Sequence, residues 1–396
     1  MVIMTVVLGP IVSQAADYWG RRPFLIGLTA LGAVGCIIVS RANSMGMAIA
    51  GFTVTGFSYG AQPLLHAVAS EVLPRRYRSW AQAADLVASG LGGITALLVG
   101  GALNRQSNPM SESFRTFWYM TTGIFVLATI LTVFFYNPPP RETQASLSFS
   151  EKLGRLDWVG YALLTGGLVL FCIGLSWSDN PYPWSDPHTS ATFAVGMALV
   201  LALCLYEAFV KKDGMFHHGL FAERNFAIAL ACVFCEGVAF FAANQYFAFE
   251  VGVLYEQDNL RVGIRYSIPL IVSIFSALGG GLYCAVTKRV RWVTVVAFSV
   301  FTGFFIGMAT SGPTDSTKVW GFTILLGTGL GLSLCVLITV AQLSTPPELI
   351  AIASGILISV RSLGGAVGLA VCEFAPPPRL HVTIDTWGIS TNVPVT

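Results

Sequence analysis

Glu236, in CVFCEGVAFF, and Arg361, in SVRSLGG, are ionisable residues set deep inside apolar stretches, and Asp85, in AQAADLVASG, lies a few residues inside another. At about 1.5 Å of helical rise per residue, Glu236 lies ~15 Å and Arg361 ~18 Å into their segments. A charge at the centre of a bilayer costs ~2.5–3.5 kcal/mol on insertion scales, so such residues call for a partner or a wet cavity. A carboxyl group removed from water favours its neutral form and can take up and release a proton. Glu236 is therefore the first candidate for proton coupling and Asp85 the second. The alternative for Glu236 is a static pair, for instance with Arg361, that only fixes helix packing. Arg361 can instead hold an anionic or carbonyl group of a substrate. Asn244 and Gln245, on the segment of Glu236, offer neutral hydrogen bonds to an oxygen-rich molecule, or equally to a neighbouring helix.

A second constellation is ADYWGRRP, with Asp17, Gly20, Arg21 and Arg22 in one short turn. Gly20 supplies backbone freedom, and a carboxylate a few residues from arginines at a helix end can pair with them. Such a charged clasp can hold two bundles together on one face of a membrane. Glu71 and Arg78, in SEVLPRRYRS, are candidates to brace the same gate, against the alternative of a solvated turn. Glu207 precedes Lys211 by one helical turn, a favourable ion-pair spacing that reads as structural. His66 reads as a packing residue, and adjacent His217 and His218 lack the further ligands a metal would need. Cys232 and Cys235 form a CxxC without a second pair, so no metal is expected. No phosphate loop or dinucleotide fingerprint occurs, so no cofactor and no direct use of ATP is expected.

The elements that must position these residues follow from composition. Of 396 residues 54% are hydrophobic and 11% charged, whereas soluble domains carry about 25% charged side chains. The apolar runs are continuous, which implies helices rather than barrel strands. About twelve segments are expected, near 1–14, 23–40, 46–69, 82–103, 116–136, 157–177, 190–210, 226–253, 266–287, 292–310, 319–343 and 349–374. A net charge of +2 with scattered basic residues excludes a nucleic-acid partner. All eight cysteines fall in apolar runs, against a secreted disulfide framework. Arg21, Arg22, Arg75, Arg76, Arg78, Arg141, Lys211 and Arg289 belong to one alternating set of loops, which is therefore read as cytoplasmic. The loop SDNPYPWSDP then faces outward.

LVASGLGGITALLVG aligns without a gap on LISVRSLGGAVGLAV, matching Leu91, Gly92 and Gly93 to Leu363, Gly364 and Gly365, and the same offset sets Pro74 opposite Pro346. This points to two related bundles. Gly92, Gly93, Gly100 and Gly101 in one copy, and Gly364, Gly365 and Gly368 in the other, are candidates for close helix packing. The polar stretch 137–156 reads as a cytoplasmic linker between an N-terminal bundle, 1–136, and an extra helix pair, 157–213. A C-terminal bundle, 214–375, and an atypical tail, 376–396, follow.

The spacing D-x-x-G-R-R resembles the short cytoplasmic signature of the major facilitator superfamily. GRLDWVGYALLTGGLVLFCIGLSWSDNPYPWSDP, FFYNPPP, FVKKDGMFHHGLFAERNFAI and VRSLGGAVGLAV resemble the fungal trichothecene efflux pump family. The resemblance implies an all-α polytopic membrane protein of the major facilitator fold, two pseudo-symmetric bundles with an extra helix pair between them. It implies proton-coupled export of a hydrophobic toxin, drug or metabolite, with protons and the lipid bilayer as partners and no oligomer required. The plasma membrane is the expected location, the vacuolar membrane the alternative. That family has fourteen spans, so one span is expected to be missing at each end. The short opening segment and the stop at Pro376, Pro377 and Pro378 agree with this. The chain departs from the family at Ser13, Phe52, Ala96 and Leu97, which leaves export open against uptake of a ferric siderophore. A non-transporting membrane sensor and an inactive gene-model fragment also stay open, whereas no residue cluster is spaced for enzymatic chemistry.

Overall fold

The computed structural model describes residues 2–74, 77–105, 110–139, 148–177, 182–211, 214–221, 223–256, 258–312, 316–346 and 349–374. Arg75, Arg76, Arg141 and the tail 376–396 lie outside the described residues. The described chain is helical: α1 Val2–Trp19, α2 Arg21–Ser40, α3 Met45–Ser58, α4 Gln62–Val72, α5 Arg78–Arg105, α6 Met110–Phe135, α7 Phe149–Arg155, α8 Trp158–Trp177 and α9 Pro187–Leu205. There follow α10 His218–Phe221, α11 Arg224–Glu250, α12 Asn259–Thr287, α13 Arg291–Thr310, α14 Ser316–Leu343 and α15 Ile350–Phe374.

Eleven helices among the described residues are long and apolar enough to cross a membrane. The twelfth expected segment, 46–69, is built from three pieces: α3, a single tight turn at Tyr59–Ala61, and α4. Pro63 lies in the first turn of α4. It has no N–H to give to Tyr59, so the chain tightens there instead of continuing a regular ladder. The protein is thus an integral, multi-pass membrane protein. Its outer faces carry large exposed apolar side chains such as Ile124, Phe134, Phe275 and Ile306, as a hydrocarbon surround requires.

α1 runs into α2 with one residue between them. Gly20 there has φ 92° and ψ 157°, a conformation that side-chain-bearing residues rarely adopt, and its N–H closes onto Ala16 O at 2.9 Å. The linker is not wholly irregular. Ser148 and Glu151 form a reciprocal cap, with Ser148 N–H donating to Glu151 Oε2 at 2.7 Å, that starts α7 and holds the Glu151 carboxyl below its usual range.

Helices before the linker group as α2 against α3 and α6, and those after residue 218 as α11, α13 and α12 against α14 and α15. The two groups join through α5 on α12 and α1 on α15. Both joints use residues with little or no side chain. Gly355 stands against Ser13 and Gly9 against Ser359, while Gly263 approaches Leu97 O and Gly281 approaches Ser79 O. α15 begins at the position that the sequence repeat sets opposite the start of α5. The extra pair α8 and α9 is packed on itself, with Gly174 on Phe193 and Gly196 on Phe171. It leans on α1, where Tyr161 OH donates to Gln14 Oε1.

Candidate functional site

Glu236 and Arg361 meet. Arg361 Nε donates to Glu236 Oε2 at 2.6 Å and its Nη2 to Oε1 at 3.0 Å, a forked contact between α11 and α15. Glu236 has no exposed surface and Arg361 is 6% exposed. The guanidinium lies 4.6 Å from the ring centre of Phe240 and 5.5 Å from that of Phe241, so aromatic faces supply the rest of its surroundings. The helices come this close because Gly237 faces the Arg361 backbone, Gly364 faces Phe234 O and Gly368 faces Val238 O. Gly365 packs on the Phe241 ring. Both members of the pair belong to helices after residue 218, so the pair spans two helices of one group and does not bridge the two groups.

The turn residues form the second cluster. Arg21 Nη2 contacts Asp17 Oδ1 at 3.1 Å, its Nη1 reaches Glu71 at the end of α4, and Arg21 is buried. Arg22 turns the other way, donating to Val133 O at 2.7 Å and Asn137 Oδ1 at 2.8 Å at the end of α6. Arg78 reaches across the groups, its Nη1 donating to Gln342 O at 3.1 Å. All of these contacts lie at one end of the molecule, where α1, α4, α6 and α14 end and α2 and α5 begin.

Asp85 sits beside a network that sequence reasoning missed. His66 Nδ1 faces Asp85 Oδ2 and Gln82 Oε1, each at 2.9 Å. Both facing atoms are acceptors, so the hydrogen is assigned to Nδ1. Gln82 Nε2 donates to Ser70 Oγ at 2.7 Å, and Gln342 Nε2 to Ser354 Oγ at 3.0 Å. Ser70 Oγ and Gln82 Nε2 both donate to Gln342 Oε1. The buried set of Ser70, Gln82, Gln342 and Ser354 therefore sutures α4 and α5 to α14 and α15. A signal for it existed: Ser70 and Gln342 are 272 residues apart, the offset of the glycine repeat, which also pairs Gln82 with Ser354.

Other candidates are placed as follows. Asn244 lines a small cavity with Phe240, Tyr266 and Pro269, and Gln245 is exposed. Gly93 packs on Leu270 and Gly101 on the Leu260 backbone, but a side chain at Gly92 would meet nothing within 4 Å, and at Gly100 only ordinary contact with Phe117. Gly92 thus corrects the packing expectation, whereas Gly100 is in ordinary contact with Phe117 of α6. Glu207 does not take Lys211 as its partner. Its Oε2 accepts the Phe216 N–H at 3.2 Å, while Lys211 Nζ lies 3.6 Å from Asp157 Oδ1. A π-turn at Tyr206–Val210 moves Lys211 off the regular helical spacing. His217 accepts Gly219 N–H, and His218 bonds Glu207 O at 2.9 Å. At the opposite end of the molecule Arg105 donates to Asp258 at 2.5 Å, joining α5 to the start of α12.

A family profile of the Major Facilitator Superfamily matches residues 1–369. The chain belongs to that superfamily. Among similar proteins are the MFS-type transporter ucsD of an Acremonium species, 25% identical over 93% of this chain and 62% of its own length, and the MFS-type efflux transporter ffsH of Aspergillus flavipes, 28% identical over 91% and 64%. The trichothecene efflux pump TRI12 of Trichoderma arundinaceum is 21% identical over 90% and 60%. The chain thus spans under two thirds of the length of these relatives. Among solved structures, the human organic anion transporter MFSD10 shares the fold with a TM-score of 0.63 at 17% identity, over 94% of this chain and 76% of that one. A peptide transporter of the POT type, in complex with sulfate, gives 0.61 at 13%, over 97% and 80%.

Proposed function

We propose that the protein is a secondary active transporter of the facilitator type that exports a small hydrophobic organic molecule, a toxin, drug or secondary metabolite, in exchange for protons, across the plasma membrane. Relatives named as efflux transporters support the cargo class. The observation that carries the coupling is the forked Glu236–Arg361 pair, fully enclosed between α11 and α15. A proton arriving on Glu236 cancels its charge and releases the guanidinium, which is then held by Phe240 and Phe241 alone. The forked donors of Arg361 become available to a carbonyl or anionic group of the cargo. Asn244, further along α11, is placed to add a neutral hydrogen bond. The test is transport by the full chain in vesicles under an imposed pH gradient. Glu236→Gln leaves Arg361 buried without its counter-charge and so melts lower, yet among molecules that purify folded it is expected to abolish gradient-driven efflux. Efflux that stays as strong and as pH-dependent as in the unmutated protein removes Glu236 from the coupling.

A further inference from the structure

At the arginine-rich end of the extra helix pair, two carboxyl groups are buried against each other. Asp157, just before α8, has no exposed surface, and Glu207, in the π-turn that ends α9, is 4% exposed. Each has one oxygen satisfied by backbone: Asp157 Oδ1 accepts the Gly160 N–H at 3.0 Å, and Glu207 Oε2 the Phe216 N–H at 3.2 Å. The remaining oxygens, Asp157 Oδ2 and Glu207 Oε1, are buried and close no regular hydrogen bond among the described residues, although the Met215 N–H lies near both carboxyl groups and the Tyr206 hydroxyl near Asp157. They border the same spot, since a side-chain carbon on Gly214 would lie 2.9 Å from each. Both oxygens also lie against Gly160, so the two carboxyl groups face each other across one small space. Two carboxylates offer only acceptors to one another, so that arrangement requires a proton.

The surrounding charges do not remove the need for it. Lys211 Nζ stands 3.6 Å from Asp157 Oδ1. Tyr161 on α8 and Tyr206 at the end of α9 face the pair, the Tyr206 hydroxyl toward Asp157, and Tyr18 of α1 interacts with Tyr161. From α10, His218 is turned to the Glu207 backbone carbonyl. One lysine balances one carboxylate. A second ionised carboxyl at that distance adds like-charge repulsion to the cost of burial.

We propose that Asp157 and Glu207 bind one proton between them, forming a proton site separate from Glu236 and Arg361, which ties the extra helix pair to the segment 214–221. The proton belongs to the pair as a unit. Because it is held when the chain is folded and released when it unfolds, stability falls as pH rises.

The test is infrared spectroscopy of the purified full chain in lipid nanodiscs. The unmutated protein is expected to show a carboxylic-acid carbonyl band near neutral pH that fades on alkaline titration. Glu207→Gln and Asp157→Asn each give the remaining carboxylate an amide donor, so each is expected to lose that band, whereas Glu236→Gln keeps it. The melting temperature of the unmutated chain is expected to drop over the same pH range in which the band fades. A band that survives undiminished in both variants overturns the proposal. So does the absence of any such band in the unmutated protein, a result that needs no variant to fold.

Discussion

Glu236 and Arg361 illustrate what a buried pair does and does not contribute at the scale of single residues. Burying both charges is expensive, and the forked contact with its aromatic surround offsets that cost, so the pair as a whole adds little net stability. Removing one partner is different, because the other charge stays in the apolar interior. Arg361→Met is expected to cost about 3–5 kcal/mol, and adding Glu236→Gln to it should recover most of the loss. Melting of the two single variants and the double variant in detergent checks this; losses that simply add show that the two residues do not interact energetically. The positions of the two charges were legible in the sequence, since ionised groups stand out in apolar runs. Their pairing was only one of several readings, because it depends on the crossing of α11 and α15, which lie 125 residues apart. The Asp157–Glu207 contact was not legible at all. A π-turn of five residues rotates Glu207 and Lys211 away from the regular spacing on which the sequence reading relied.

At the scale of elements, glycine decides where helices touch by backbone and where they do not. The repeat aligns Gly92 with Gly364, yet Gly364 stands against Phe234 O while Gly92 faces open space. Sequence symmetry preserved the residue type, but each helix meets different neighbours: α5 lies on α12, whereas α15 lies on both α1 and α11. The consequence is a sharp contrast between two like substitutions. Gly237→Ala places a carbon against the Arg361 backbone, 2.9 Å from its carbonyl carbon, and is expected to cost about 1–3 kcal/mol by overpacking. Gly92→Ala meets nothing and is expected to be neutral, or stabilising by up to about 1 kcal/mol through helix propensity. Thermal unfolding of both variants tests the contrast, and equal melting temperatures contradict the assigned helix contacts. The helices themselves were largely legible, because long apolar runs must satisfy their backbone internally in lipid. The break at Tyr59–Ala61 was not seen, although Pro63 marked it.

For the whole molecule, the decisive contacts are those that join the two helix groups. Near Arg78 the joint is polar: Gln342 accepts from Ser70 and Gln82 and donates to Ser354, and its carbonyl takes Arg78. Each group brings one glutamine and one serine at repeat-matched positions with the two residue types exchanged, so the suture has the pseudo-symmetry of the fold. In the proposed transport cycle this joint must open, after which its polar groups reach water. Gln342→Leu leaves Ser70, Gln82 and Ser354 short of partners only while the joint is closed, at about 1–3 kcal/mol for each buried unsatisfied group. The variant should therefore favour the open arrangement by at least tenfold, since about 1.4 kcal/mol is a factor of ten. Spin labels at Val72 and Leu343, both exposed at the ends of α4 and α14, report the separation by pulsed electron resonance once Cys204 and Cys235, the exposed thiols among the described residues, and Cys372 are replaced. A longer distance should grow in with Gln342→Leu and not with Thr328→Val, a change on the exposed face of the same helix. An unchanged distance distribution in Gln342→Leu means that the apolar joints of α1 on α15 and α5 on α12 hold this end closed without the suture.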